Sequence, residues 1–230
     1  MNANQPLDQR KLFLVALGRL VVGLALIAGL LFLCAGTTDY WQTWLYTGVL
    51  LVLLSTSFNW LMRSDPQRLE RRMRTREREK SQQWVIGFST LFLILLYVLP
   101  GLDRRFQWSQ MPLALVVFGV GAVILGYAFY MQVIQANQFA SRVVEVMQEQ
   151  KVITSGPYAL VRHPMYLSMV IFFLGTALAL GSWWALIPAA LMVPVLGVRL
   201  LEEEKILRRD LPGYAEYTQE VRWRLFPGVW

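Results

Sequence analysis

The chain's only histidine, His163, lies in a short polar and aromatic motif. A turn at Gly156-Pro157 opens this motif and lets backbone approach a ligand closely. The groups that follow suit a planar heterocycle with polar substituents, and the alternative is a histidine that closes a loop before a helix with proline in its first turn. Aromatic rings, a cation and an imidazole fall within nine positions: Tyr158, Arg162, His163 and Tyr166.

A second charged cluster follows about forty residues later, directly after an apolar run. Arg199 precedes three consecutive acids, Glu202, Glu203 and Glu204. Arg199 and Glu203 stand four apart, so they can pair on a helix, but an exposed pair in this order contributes well under ~1 kcal/mol. Three adjacent acids also repel one another, and a carboxylate here is placed to bind the ammonium of a small ligand. The residues alone leave both interpretations open.

The composition indicates a membrane protein. The chain is 56% hydrophobic and only 16% charged, whereas a soluble domain carries roughly 25% charged residues. Its apolar residues are gathered into blocks that reach the roughly 20 residues needed to cross a bilayer. We therefore expect an all-α, multi-pass bundle of about six helices. The first four blocks are 12–35, 44–62, 84–102 and 111–134, and the first is read as a retained helix.

The last apolar block, 167–201, is too long for one crossing. As one helix it would measure about 50 Å, against a hydrocarbon core of about 30 Å. The sequence Gly181-Ser-Trp-Trp184 supplies a turn, so residues 165–201 are predicted to form a helical hairpin. Gly119, Gly121 and Gly126 on the fourth helix predict close helix packing. We divide the chain into membrane helices (1–134) and a motif region with the hairpin and a C-terminal tail (135–230).

The distribution of basic residues predicts the orientation. Residues 63–80 carry eight of them, within a predicted loop at 63–83. The opposite side has only Arg104 and Arg105. The positive-inside rule therefore places both termini, the basic loop and the histidine motif in the cytoplasm.

Composition and motifs also exclude several classes of protein. The net charge of +7 follows from this topology, and no compact domain carries a basic face for nucleic acid. With one cysteine, Cys34, and one histidine, neither an internal disulfide nor a zinc-type metal site is expected. No Gly-x-Gly-x-x-Gly turn follows a strand, which disfavours a Rossmann domain.

The spaced motifs resemble those of the isoprenylcysteine carboxyl methyltransferase and phospholipid methyltransferase superfamily. The resemblance rests on Gly156-Pro-Tyr-x-x-Val-Arg-His-Pro-x-Tyr166, the apolar hairpin and Glu203-Glu204-x-x-Leu207. It covers roughly residues 135–228, and Ser168 departs from the glycine of many relatives. The segments Asn137-Gln-Phe139, Pro212-Gly213-Tyr214-x-x-Tyr217 and Arg224-Leu-Phe-Pro227 also agree.

The resemblance implies S-adenosylmethionine as methyl donor, held by a membrane-embedded fold. It implies that Glu203 or Glu204 takes the donor's amino group. Arg162 would orient an anionic acceptor, and Arg199 would do the same or hold the glutamates. The donor pocket would be lined by His163, Pro164 and Tyr166, with Asn137, Gly156 and Tyr158 as secondary candidates.

The acceptor would be a lipophilic molecule or lipid that enters from the bilayer. Prenylated cysteine carboxylates, phosphatidylethanolamine-type amines and small thiols are all compatible with the superfamily. Short loops and the lack of endomembrane retention signals favour a protein of a bacterial inner membrane. The alternative function is non-enzymatic: a transport or assembly protein that uses the motif as a structural clasp and has no affinity for the donor. The sequence does not predict the oligomeric state.

Overall fold

The structure, a computed structural model, describes residues 9–66, 69, 81–137, 139 and 150–230. Within these ranges the chain forms seven α-helices and one short 3-10 helix, with no strand, which confirms the predicted all-α class. The first four helices are long and apolar enough to cross a membrane, so the protein is an integral membrane protein. They are α1 (Gln9–Ala35), α2 (Trp41–Ser64), α3 (Ser81–Phe106) and α4 (Leu113–Ala136).

These four helices begin and end within a few residues of the predicted blocks. The differences lie at the polar ends, where hydrogen bonding continues past the last apolar residue. Large apolar side chains such as Leu26, Leu33 and Leu125 remain exposed on the outer surface, as expected for contact with lipid. Most of the predicted basic loop lies outside the described residues.

The last apolar block forms the predicted hairpin of α5 (Pro164–Ala179) and α6 (Leu186–Asp210). Gly181 in the connecting turn has a φ of +73°, a conformation that glycine adopts without strain. The second helix runs nine residues past the predicted end at 201, because the charged segment that follows consists of good helix formers. The first is only about 24 Å long, shorter than a bilayer core of about 30 Å.

Glycines bring α4 and α5 into close contact. A Cβ atom at Gly119 would lie 2.4 Å from the backbone nitrogen of Ala179, and one at Gly126 would lie 2.9 Å from that of Phe172. Gly121 faces open space instead. Two of the three glycines singled out in the sequence therefore permit backbone contact between the helices.

Buried polar contacts fix the hairpin along its length. At mid-depth, the Tyr46 hydroxyl contacts the Tyr97 hydroxyl at 3.0 Å and Thr176 Oγ1 at 3.1 Å. At the turn, the buried carboxylate of Asp103 accepts hydrogen bonds from the hydroxyls of Ser109 and Ser182. Because these contacts join α5 and its turn to α2 and α3, they also set the position of the hairpin's open end.

The open end of the hairpin carries both predicted motifs. The histidine motif immediately precedes α5, and the acidic triplet lies near the end of α6. The short helix α7 (Tyr214–Glu220) and a tail of residues 221–230 fold back onto this end. One crossing by each of the four long helices would place the start of α1 and the motif on the same side of the membrane.

Candidate functional site

Backbone hydrogen bonds join the histidine motif to the tail. The motif begins with a 3-10 helix (Gly156–Ala159), and Gly156 has a φ of +62°. The N–H groups of Arg162 and His163 then donate to the carbonyls of Trp223 and Arg224, at 2.9 and 3.0 Å. The side chains of two distant segments are thereby held beside the N-terminus of α5, where Pro164 is the first residue of the helix.

Glu204 lies at the centre of the resulting charge cluster. Its Oε1 is 2.9 Å from Arg162 Nε and 3.4 Å from His163 Nε2, and its Oε2 accepts a hydrogen bond of 3.1 Å from Arg224 Nε. The side chains of Glu204, His163 and Arg162 are about 95% buried. The Arg162 Nε–H is not aligned with the carboxylate and makes no hydrogen bond, so this contact is an ion pair only. One buried carboxylate therefore faces three nitrogen groups, of which those of Arg162 and His163 are buried and that of Arg224 is partly exposed.

These neighbours keep Glu204 ionised. Burial by itself raises the pKa of the Glu204 carboxyl, but hydrogen bonds from His163 and Arg224 and the charges of His163 and Arg162 outweigh it. The net effect lowers the pKa from 4.5 to about 2. At neutral pH the cluster thus contains a buried carboxylate that can accept the ammonium of a ligand in exchange for one of its present partners.

The neighbouring carboxylate, Glu203, has a different set of partners. Consecutive residues on a helix point about 100° apart, and Glu203 accepts a hydrogen bond of 2.5 Å from the Tyr166 hydroxyl. Arg199, one turn earlier on α6, donates through Nε to the same hydroxyl at 3.2 Å. The acidic segment therefore holds the start of α5 at two points.

Aromatic residues enclose the cluster from the side of α7. The Tyr214 hydroxyl lies 3.4 Å from His163 Nε2, a long contact. Burial and the charges of Glu204 and Glu203 raise the pKa of Tyr214 above its ordinary value, so this phenol stays protonated. Tyr217 donates to the carbonyl of Tyr158 at 2.7 Å, and the Tyr158 hydroxyl accepts a hydrogen bond of 3.0 Å from Asn137 Nδ2.

A groove opens beside the cluster, between the polar end of α6 and the tail. Its cavity volume is about 310 Å³. Glu204 and Arg224 line it and also belong to the buried network, so the groove and the network share residues. The other lining residues are Val198, Leu201, Glu202, Lys205 and Arg208.

The structure brings the predicted site residues together in two connected groups. The first group consists of Arg162, His163 and Glu204. The second consists of Tyr166, Glu203 and Arg199. The rings of His163 and Tyr166 are in contact and connect the two groups. Asn137 and Tyr158 lie at the flank and connect through Tyr217, while Gly156 supplies the turn below them.

Two members of the network, Arg224 and Tyr214, were not among the predicted site residues. Both lie in tail segments whose sequence already agreed with the superfamily pattern. That agreement was the available signal, because neither residue type is unusual at a membrane boundary.

A known protein family matches the part of the chain that carries most of these residues. Residues 114–211, somewhat less than half of the chain, match the sequence model of the phospholipid methyltransferase family. The match spans α4, the histidine motif, the hairpin and the acidic triplet, and supports the resemblance that the motifs indicated. No curated protein matches the sequence.

The fold is similar to that of a solved membrane enzyme. It matches the eukaryotic intramembrane Ras methyltransferase ICMT (isoprenylcysteine carboxyl methyltransferase) with a TM-score of 0.54. The alignment covers 90% of this chain and 74% of the other, at 18% identity. At this identity the similarity concerns the fold alone. The family match and the similarity of fold agree in associating this chain with membrane methyltransferases.

Proposed function

We propose that the protein transfers a methyl group from S-adenosylmethionine to a lipophilic acceptor at the cytoplasmic face of the membrane. The observation that carries this proposal is the convergence of His163 and Glu204, from the two helices of one hairpin, on a buried network with contact distances of 2.9 to 3.4 Å. The cytoplasmic assignment rests on the basic residues of the loops.

The residues present fit the donor's amino-acid portion, which carries an ammonium and a carboxylate. Glu204 is an ionised, buried acceptor for the ammonium. The buried Nε–H of Arg162 has no hydrogen-bond partner and can donate to the carboxylate of the methyl donor. Both charges of the amino-acid portion therefore find groups of opposite sign within one cluster.

Each residue of the network then has a role in the proposed site. Glu204 binds the donor's ammonium, and Arg162 beside it binds the donor's carboxylate. Arg199 and Glu203 hold the Tyr166 hydroxyl and so fix the wall of the pocket. The remaining walls are assigned to His163 and Pro164, with Tyr158, Gly156 and Asn137 at the flank.

The chemistry needs no nucleophile from the protein. When bound, S-adenosylmethionine supplies a methyl group on a sulfonium: the acceptor's lone pair bonds to the methyl carbon, and the carbon–sulfur electron pair stays on sulfur. The chain's residues have to orient the partners and exclude water, and orientation by itself can lower such a barrier by about 7–11 kcal/mol. A carboxylate acceptor releases no proton, whereas an amine acceptor needs a base.

An assay with methyl-labelled donor and membrane lipid extract tests the proposal, because the labelled product also identifies the acceptor. We expect label transfer by the wild type and by Glu216→Gln, a matched charge change at an exposed position of α7. Glu204→Gln should transfer at least tenfold less, as for loss of a charged hydrogen bond worth about 1.5–3 kcal/mol. If the wild type neither binds donor nor labels carboxylate, amine or thiol lipids, the network is a structural clasp and the proposal is wrong.

A further inference from the structure

The groove beside the charge cluster changes from apolar to cationic along one face of α6. Val198, Leu201, Lys205 and Arg208 line it at spacings of three and four residues, which places them on the same side of the helix. Val198 is 53% exposed and Leu201 is 40% exposed. From Val198 to Arg208 the helix rises about 15 Å, which is long enough to connect the edge of the hydrocarbon core with the headgroup region of a bilayer.

Charge in the groove is positive once internal pairs are taken into account. Lys205 Nζ lies 2.6 Å from Glu202 Oε1, and the Glu204 carboxylate is matched by the buried Arg162. Arg208 is exposed and makes no ion pair or hydrogen bond with any residue that the structure describes. Arg224 is 32% exposed at the groove and shares Glu204 with Arg162. Two guanidinium groups are therefore available to an anion there.

We propose that this groove binds the anionic headgroup of a membrane amphiphile, and that the methyl acceptor reaches the donor pocket in this way. The amphiphile's anionic group lies between Arg208 and Arg224, and its apolar chain lies along Val198 and Leu201. The second half of this proposal rests on the proposed methyl transfer, whereas the binding of the amphiphile does not. A soluble anion matches only the cationic half of the groove.

Arg224 couples the groove to the buried cluster. Its Nε donates to Glu204 Oε2 at 3.1 Å, and its guanidinium also lies 5.5 Å from the ring of Trp230. An anion in the groove competes with Glu204 for Arg224 and leaves more of the Glu204 carboxylate for an ammonium. Binding of the amphiphile therefore favours binding of the donor, and by linkage the reverse holds as well.

The test uses the full-length protein in lipid nanodiscs. Native mass spectrometry of protein released from discs of mixed phosphatidylglycerol and phosphatidylcholine measures retained anionic lipid. Calorimetry with S-adenosylhomocysteine compares discs with and without phosphatidylglycerol. Arg208→Gln is compared with a control, Arg209→Gln, which removes the same charge from the neighbouring residue. Arg209 is paired with Asp210 and does not line the groove. Glycerol phosphate added to phosphatidylcholine discs represents the soluble anion.

We expect the wild type and Arg209→Gln to retain phosphatidylglycerol, and Arg208→Gln to bind it about fivefold more weakly, the effect of one cation near an anionic surface. S-adenosylhomocysteine should bind more tightly in anionic discs, and this gain should disappear in Arg208→Gln. Equal lipid retention by both variants would overturn the inference. An equal gain in S-adenosylhomocysteine affinity when glycerol phosphate replaces phosphatidylglycerol would overturn it as well. If lipid retention behaves as expected but S-adenosylhomocysteine binds in no disc, the proposed methyl transfer fails and the amphiphile site stands.

Discussion

Replacing Glu204 by glutamine should strongly destabilise the open end of the hairpin. The carboxylate is 4% exposed and faces Arg162, which is 6% exposed. Removing one partner of such a buried pair costs about 3–5 kcal/mol, because the other charge is left uncompensated. Glutamine keeps one acceptor oxygen for His163 or Arg224, so we expect the free energy of unfolding to fall by an amount near the lower end of this range, about 3 kcal/mol. Glu203→Gln keeps an acceptor for the Tyr166 hydroxyl but makes this hydrogen bond neutral, so it should cost only about 1 kcal/mol.

Reversible unfolding in mixed detergent micelles, followed by circular dichroism, measures these losses. Glu216→Gln should leave the free energy of unfolding unchanged within about 0.5 kcal/mol. Arg162→Gln combined with Glu204→Gln should cost less than the sum of the single changes, with a coupling of at least about 1 kcal/mol. A Glu204→Gln variant as stable as Glu216→Gln, or additive double-mutant losses, would refute the buried ion pair.

The same residue predicts a pH dependence. Its folded-state pKa is lowered from 4.5 to about 2, so its contribution to stability is complete above pH 4.5 and is lost as the pH falls toward 2. Glutamine does not titrate. The difference in unfolding free energy between wild type and Glu204→Gln should therefore shrink over this interval, and a difference that stays constant would contradict the assignment.

Two further changes test the packing around the site. Gly119→Ala should destabilise the protein by about 1–3 kcal/mol, because its methyl group would lie 2.4 Å from the Ala179 backbone. Gly121→Ala, where nothing lies within 4 Å, should be neutral or slightly stabilising, and equal effects in the same unfolding assay would argue against the contact of α4 with α5. Tyr217→Phe should cost about 1 kcal/mol through the lost hydrogen bond to the Tyr158 carbonyl, and an unchanged free energy of unfolding would show that this bond contributes nothing.

The convergence of His163 with Glu204 could be predicted from the sequence, and the reason is topological. His163 precedes the first apolar run and Glu204 follows the second. Because a turn at Gly181 folds the two runs into a hairpin, both residues lie at its open end, on one side of the membrane. The hydropathy of the chain determines this arrangement without any detailed packing. The four long helices were predictable for the same reason.

The parts that were not predicted depend on contacts between distant segments. Arg224 reaches Glu204 only because the tail pairs through its backbone with residues 162 and 163. Such pairing leaves no periodic pattern in the sequence. The end of α6 was misplaced because hydropathy ends at 201, whereas helical hydrogen bonding continues through the charged residues to Asp210. The groove depends on both features and was not predicted.

Calorimetry of S-adenosylhomocysteine with the purified full-length protein tests the central claim most directly. The account predicts saturable binding to the wild type and to Glu216→Gln, and binding at least tenfold weaker for Glu204→Gln under conditions where circular dichroism shows it folded. Absence of binding to the folded wild type, or equal affinity in all three proteins, would contradict the claim that the buried cluster around Glu204 is the methyl donor's site.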